Sequence, residues 1–186
     1  RFANPHFENR VVGIVSDGDL MEGVAHEAAS LAGHLKLSNL VYFYDDNEIT
    51  IEGETSIAFS EDVESRFQSL GWRVLRTDGH DFDQIETTMD AAFAEGATQP
   101  TLVICKTRIG YGSPNKEGTA DVHGAPLGEE EVKLTKAALG IPQTAFHVPA
   151  EATAPFAARA KACEELRASW LRDVAAVEAA APEAAK

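Results

Sequence analysis

Two apolar runs, each followed at once by a polar cluster, constrain the fold of this chain more than any other feature. The first run covers residues 11–15 and the second covers residues 40–44. Between them, apolar side chains recur at helical spacing over residues 22–35. A strand, a helix and a second strand form a βαβ unit, whose crossover places the second strand parallel to the first. The pattern therefore predicts a parallel sheet.

The polar clusters that follow these two strands predict a ligand site. Asp17 lies in the first cluster and Asn47 lies in the second. Both clusters emerge at the carboxyl ends of neighbouring strands, where open α/β sheets bind their ligands. A carboxylate and an amide oxygen are hard donors that suit Mg²⁺ or Ca²⁺, and Mg²⁺ keeps positions open for phosphate oxygens. We therefore expect a metal-bridged diphosphate at this edge.

Strands and helices continue to alternate along the rest of the chain. Val63, Phe67 and Leu70 predict a short helix, Asp81 or Asp83 could cap another, and further strands are expected over residues 72–76 and 101–105. Residues 50–62 and 107–128 are polar and irregular, and residues 129–139 are helical. This order predicts an α/β fold, a doubly wound and mostly parallel sheet with helices on both faces.

The composition changes beyond Gly140-Ile141-Pro142, and residues 151–186 are alanine-rich. Residues 1–148 are expected to form a partial domain, and residues 149–186 an alanine-rich docking or linker helix whose end, from Ala175, frays. The chain starts Arg1-Phe2-Ala3 with no initiating methionine, which indicates an internal piece of a longer polypeptide.

The net charge and the composition limit the classes of partner that this chain could bind. A net charge of −14 argues against nucleic acid or an anionic membrane, and no apolar stretch reaches the ~20 residues needed to cross a bilayer. Phosphorylated ligands remain possible, since a metal ion can outweigh the global charge locally. Cys105 and Cys163 have no metal-like spacing, so reduced thiols in a cytoplasmic protein are expected.

Several ordered motifs carry a resemblance that covers roughly residues 11–140. They include Asp17-Gly18, Met21-Glu22-Gly23, Tyr44-Asp45-Asp46-Asn47, Asp78-Gly79-His80-Asp81, Gly112-Ser113-Pro114-Asn115 and His123-Gly124-Ala125-Pro126-Leu127-Gly128. Together these segments resemble the thiamine-diphosphate signature in the form that transketolases use. The chain departs from that family at Ser16, where glycine is commoner.

The resemblance implies a cofactor site of thiamine diphosphate and Mg²⁺, for which Ca²⁺ could substitute. Asp17, Asn47 and the backbone carbonyl of Ile49 would be the protein ligands of the metal. Gly18 would let the backbone approach the diphosphate, and Ile109 would contact the thiazolium ring.

The resemblance also implies roles for three titratable residues. Glu22 and Glu27 would both bind the cofactor as part of a buried network of carboxylates across a dimer, and Glu22 would also be catalytic. His123 would border the diphosphate and the reacting oxygens of the substrate, where an imidazole can pass protons near neutral pH.

At the level of the whole enzyme, the resemblance implies transfer of a two-carbon ketol unit from a ketose phosphate to an aldose phosphate, as in the pentose phosphate pathway or the Calvin cycle. A homodimer of the complete enzyme would need an upstream part of this domain and a separate pyrimidine-binding domain, so we expect the isolated chain to be inactive. Two alternatives stay open: another thiamine-diphosphate enzyme such as deoxyxylulose-phosphate synthase, and a non-catalytic interaction module of the same fold.

Overall fold

The computed structural model describes residues 9–94, 96–180 and 182. Asn9–Ile141 forms one compact unit, and the described residues from Pro142 onward belong to a second. The predictions for the first three residues and for the last residues of the tail lie outside the described part of the chain.

Six strands and six helices make up the described fold. The strands are β1 Val11–Ser16, β2 Leu40–Asp46, β3 Ile49–Thr50, β4 Gly53–Glu54, β5 Arg73–Asp78 and β6 Thr101–Lys106. The helices are α1 Asp17–Met21, α2 Gly23–His34, α3 Val63–Ser69, α4 Phe82–Ala92, α5 Glu129–Ala138 and α6 Ala150–Ala180.

The main sheet has the order β1-β2-β6-β5, and all its neighbouring strands are parallel. Strand side chains alternate between its faces, so each face has its own core. On one face, Leu102 and Ile104 pack with residues of α1, α2 and α3; on the other, Val41 and Val103 pack with Ala92 of α4. The predicted α/β sheet with helices on both faces is confirmed.

Helix α2 lies very close to the turn that follows α3. The indole Nε1 of Trp72 donates to the carbonyl of Ala29 at 2.8 Å. A Cβ atom on Gly33 would lie 1.7 Å from the carbonyl oxygen of Leu70, so this crossing requires glycine. These contacts hold α2 against the turn at residues 70–72. They thereby help to position the polar residues 16–22, which precede α2.

Two local features differ from the predictions. Asp17–Met21 forms a short helix, which ends where Glu22 adopts an extended conformation before α2. The loop predicted over residues 50–62 contains the β3–β4 hairpin and a 3₁₀ turn, Thr55–Ile57. Of the two candidate caps of α4, Asp81 is the cap, because its side chain accepts from the backbone N–H groups of Asp83 and Gln84.

The second unit contains α6, which has Pro155 near its start. The side chains of Phe156, Leu166 and Trp170 are largely exposed along this helix. Its role as a docking or linker helix, and the domain boundary at residue 149, stay predictions. None of the helices in the described residues combines the length and the apolar character that a membrane span requires.

Candidate functional site

The register of the sheet brings four polar strand ends to one edge. Ser16 is paired with Asp45, and both Asp46 and Asp78 are paired with Lys106. A cleft of about 1100 Å³ opens beside this edge. Its lining includes Asn47, Ile49, His80, Arg108, Tyr111 and Glu117.

Asp17 is buried at the end of β1 with one of its oxygens unused. The side chain is 3% exposed, as is that of Tyr44 on the neighbouring strand. The hydroxyl of Tyr44 donates to Oδ1 of Asp17, whereas Oδ2 has no hydrogen-bond partner among the described residues. Burial raises the pKa of Asp17; the bond from Tyr44 opposes that shift, and the charges of Asp46 and Asp45 add to it. Such a carboxylate is suited to bind a cation.

Burial also raises the pKa of the Tyr44 phenol, and the bond to Asp17 raises it further. The phenol therefore stays protonated and acts as a donor to the carboxylate. Tyr44 keeps this bond in place from the core, where it packs in the same cluster as Leu20 and Leu102.

The second candidate ligand, Asn47, is held by a network at the end of β2. Its Nδ2 donates to Oδ2 of Asp45 at 3.1 Å, and its Oδ1 accepts from the backbone N–H of Ile49 at 2.9 Å. The other oxygen of Asp45 accepts from the hydroxyl of Thr107. An amide oxygen has two lone pairs, so Oδ1 of Asn47 can still accept one more partner.

Lys106 is a cation that lies beside the acidic residues of this edge. Nζ of Lys106 lies 2.8 Å from Oε1 of Glu48 and 3.6 Å from Oδ2 of Asp46. Lys106 thus forms ion pairs with two carboxylates of this edge. Its charge also opposes the upward shift in the pKa of Asp17.

One wall of the cleft is formed by side chains that hold one another in place. The backbone N–H of Arg108 donates to Nε2 of His80 at 3.0 Å, and the imidazole stacks on Tyr111 with 3.9 Å between ring centroids. Glu117 accepts from Arg108 and from the backbone N–H of Gly112. These contacts make His80 a structural member of this wall of the cleft.

Gly18, Ile49 and Ile109 lie at or near the same edge. A Cβ atom on Gly18 would meet only the hydroxyl of Ser16, at 3.9 Å, so nothing in the described part of the chain requires glycine there. Ile49 lines the cleft beside Asn47. Ile109 is partly buried, and its carbonyl accepts from Gly118 at 2.8 Å.

Of the predicted site residues, only Asn47 and Ile49 are among the described residues that line the cleft; Asp17, Gly18 and Ile109 are not. Glu22 and Glu27 are exposed at the start of α2 and within it. His123 is exposed just after the 3₁₀ turn Ala120–Val122, outside the cleft lining. Their roles stay predictions that depend on surfaces contributed by other parts of an enzyme.

Sequence reasoning missed Tyr44, Asp45 and Thr107 as parts of the site. Tyr44 ends an apolar run and is indistinguishable there from a core aromatic residue. Asp45 sits between that run and Asn47, and its position opposite Ser16 follows only from the strand register.

The oxygen donors that the protein offers fit a metal ion that takes most of its remaining coordinating oxygens from a bound phosphate group. Within residues 9–94 and 96–180, no group of three or more His, Cys, Asp or Glu side chains is arranged to hold a metal ion. A site of one carboxylate, one amide oxygen and a backbone carbonyl suits Mg²⁺, which binds few protein carboxylates together with substrate phosphates. The unused Oδ2 of Asp17 supplies the charged ligand such a site needs.

Comparisons with known proteins show the family to which this chain belongs. The family model described as "Transketolase, thiamine diphosphate binding domain" matches residues 2–186. Transketolase 2 of Aliivibrio fischeri is 49% identical over 181 residues, which cover 97% of this chain and 26% of that protein. The transketolase of Geobacillus stearothermophilus is 50% identical over 175 residues, or 92% of this chain and 26% of that protein.

Solved structures give the same result. Transketolase from Leishmania mexicana matches with a TM-score of 0.87 and 35% identity over 97% of this chain and 27% of that chain. A Pichia stipitis transketolase variant in complex with fructose 6-phosphate matches with a TM-score of 0.85 and 40% identity over 96% of this chain and 26% of that chain. The chain thus spans about a quarter of the length of the relatives it matches. The resemblance found in the sequence is confirmed, and the chain belongs to the transketolase family, in the region of its thiamine diphosphate binding domain.

Proposed function

We propose that this chain forms part of the cofactor site of a transketolase and holds thiamine diphosphate there through a Mg²⁺ ion, which Ca²⁺ could replace. The observation that carries the proposal is the buried Asp17 carboxylate, which has one oxygen without a partner among the described residues. Asn47 and the carbonyl of Ile49 would complete the protein's share of the metal ligands. Both residues line the cleft beside this edge.

When bound, thiamine diphosphate supplies the carbon–carbon bond cleavage and the transfer of a two-carbon unit. The chain's own residues bind and orient this group. Gly18 leaves open space for the diphosphate, and Ile109 forms an apolar wall. His123 would move protons at the substrate oxygens, since an imidazole can both donate and accept near neutral pH.

The substrates we propose are a ketose phosphate as donor and an aldose phosphate as acceptor. Structures of the Pichia stipitis enzyme with fructose 6-phosphate and sedoheptulose 7-phosphate support this class of substrate. The pentose phosphate pathway or the Calvin cycle, in the cytoplasm, is the setting we propose for this reaction.

The remaining parts of the enzyme, in the same or another chain, are the partners we propose, with the complete enzyme as a homodimer. Glu22 and Glu27 would then be covered and share protons in a carboxylate network, because adjacent buried carboxylates cannot all ionise at low cost.

The metal assignment is tested with Asp17→Ala in the complete enzyme. We expect thiamine diphosphate binding to be nearly abolished at any Mg²⁺ concentration that suffices for the wild type, since the only charged protein ligand is removed. Asn47→Ala should weaken binding less and be partly rescued by excess Mg²⁺. Isothermal titration with the cofactor over a series of Mg²⁺ concentrations measures both effects.

Asp90→Ala is the matched control, because it removes an exposed carboxylate near the end of α4. We expect its cofactor binding to equal that of the wild type. Unchanged magnesium dependence in Asp17→Ala would refute the metal site. Turnover of xylulose 5-phosphate with ribose 5-phosphate by the complete wild-type enzyme tests the reaction itself, and pyruvate-dependent activity in its place would contradict the proposal.

A further inference from the structure

We infer that Tyr44 is a positioning residue that holds the Asp17 carboxylate in the orientation that binds the metal. The inference rests on the proposed function, because it assigns a role toward the proposed Mg²⁺ ion. It concerns a side chain that would itself contact neither the ion nor the substrate.

The geometry separates the two oxygens of the Asp17 carboxylate. The phenol of Tyr44 donates its single proton to Oδ1, and Oδ2 is left without a partner among the described residues. A terminal carboxylate torsion is broad and roughly two-fold, so a free carboxylate exchanges its oxygens by rotation. A donor fixed on one side removes that freedom and keeps the other oxygen available to a cation.

The phenol is itself held in place by the core. Tyr44 is 3% exposed and packs with Leu102 and Ile104 of β6 beneath the edge of the sheet. Val15 of β1 is its register partner, so the tyrosine lies directly beside the strand end that carries Asp17. A donor mounted on a rigid strand fixes a ligand more accurately than a loop residue could.

The neighbouring carboxylate shows why Asp17 is the ligand that this arrangement prepares. Both oxygens of Asp45 are occupied, one by Thr107 and the other by Asn47. Each oxygen of Asp45 would therefore share its electron density between a protein donor and an ion. Asp17 offers Oδ2, which has no donor among the described residues.

The test compares Tyr44→Phe with Tyr42→Phe in the complete enzyme. Each substitution removes one hydroxyl from the same strand, and Tyr42 is a suitable control because its ring packs against Trp72. The apparent Kd for Mg²⁺ is measured by titration at saturating thiamine diphosphate. We expect Tyr44→Phe to raise it about 10–100-fold, the usual effect of losing a partner that orients a metal ligand. Tyr42→Phe should leave it unchanged.

A double-mutant cycle separates positioning from general loss of stability. If Tyr44 acts through Asp17, adding Tyr44→Phe to Asp17→Asn should weaken Mg²⁺ binding by much less than it does in the wild type. Equal effects in the two backgrounds, or equal effects of Tyr44→Phe and Tyr42→Phe, overturn the inference. If Asp17→Asn weakens Mg²⁺ binding and Tyr44→Phe does not, the inference fails while the metal site stands. If Asp17→Asn also has no effect, the proposed metal site fails as well.

Discussion

At the scale of single residues, Asp17 is a buried carboxylate with only one hydrogen-bond donor among the described residues. A buried charge is unfavourable unless it is paired, and Asp17 has lost nearly all contact with water. The nearby charges of Asp45 and Asp46 add to the cost and help to raise the pKa of Asp17. A bound cation would offset both the burial and the repulsion. The arrangement is therefore understandable as a site prepared for a ligand.

His123 provides a residue-scale prediction about turnover. In the complete enzyme, His123→Ala should leave cofactor binding nearly intact and slow turnover by on the order of 10²–10⁴-fold, if the imidazole transfers a proton in the rate-limiting step. Steady-state rates with the two sugar phosphates at saturating cofactor measure the effect. His123→Asn is the companion variant, because asparagine can form hydrogen bonds but cannot titrate near neutral pH. Wild-type turnover in both variants would reduce His123 to an exposed loop residue.

The two candidate metal ligands were predictable because their positions follow from simple rules of topology. Asp17 and Asn47 each follow an apolar strand, and neighbouring parallel strands end at the same edge. The contribution of Tyr44 was not predictable in this way. Its ring satisfies the pattern of a buried strand, and only the packed structure reveals that its hydroxyl meets a carboxylate from another strand.

At the scale of elements, the carboxylate of Glu131 anchors the irregular segment between β6 and α5 to the start of α5. Glu131, near the start of α5, is 8% exposed and accepts from the hydroxyl of Ser113. It also accepts from the backbone and side-chain nitrogens of Asn115, at 2.9 and 2.8 Å. Ser113 and Asn115 of the Gly-Ser-Pro-Asn motif are thereby tied to α5, which gives these two residues a structural role.

These bonds predict a pH-dependent contribution to stability. Donation from Asn115 and Ser113 lowers the pKa of Glu131 in the folded state. A carboxylate with a lowered folded pKa stabilises the fold above its unfolded pKa, about 4.3 for glutamate, and loses that contribution as the pH falls through the folded value. Glu131→Gln should therefore lower the free energy of unfolding at pH 7, and its difference from the wild type should shrink steadily below about pH 4.3.

Denaturant unfolding at a series of pH values measures the effect of Glu131→Gln. Glu130→Gln is the matched control, since Glu130 is the preceding residue and forms an exposed ion pair with Lys133 at 2.6 Å. We expect a much smaller change in Glu130→Gln at every pH. A difference between Glu131→Gln and the wild type that does not vary with pH would contradict the assignment.

The strands were predicted more accurately than the features between them, for physical reasons. Residues 101–104 of β6 are buried, so the apolar run of this strand carries a strong signal. The break between α1 and α2 at Glu22 has no proline to mark it. The β3–β4 hairpin has only two residues in each strand, too few for a period of two to be visible.

At the scale of the whole molecule, the described residues leave one face of the outer strand β1 largely uncovered. Val12 and Ile14 of β1 are paired with Val41 and Phe43, so they lie on the face that α4 covers elsewhere. Yet Val12 is 54% exposed and Ile14 is 78% exposed. Exposed apolar side chains on a face favour burial under another segment, and the unpaired backbone of the edge strand can pair with a further strand. Since the chain spans about a quarter of its relatives' length, we expect the remaining parts of the enzyme to cover this edge.

Ile14→Ser tests this expectation, because its cost in stability should be small in the isolated chain and larger in the complete enzyme. In the isolated chain, where Ile14 is largely exposed, we expect the free energy of unfolding to change by no more than about 0.5 kcal/mol, as is usual for a surface substitution. In the complete enzyme, burial of the side chain would make the same substitution cost about 1–3 kcal/mol, since an apolar contact is lost and a hydroxyl is buried. Denaturant unfolding of both pairs of proteins measures the two costs. Equal costs in the isolated chain and in the complete enzyme would mean that this edge of the sheet stays exposed to solvent after assembly.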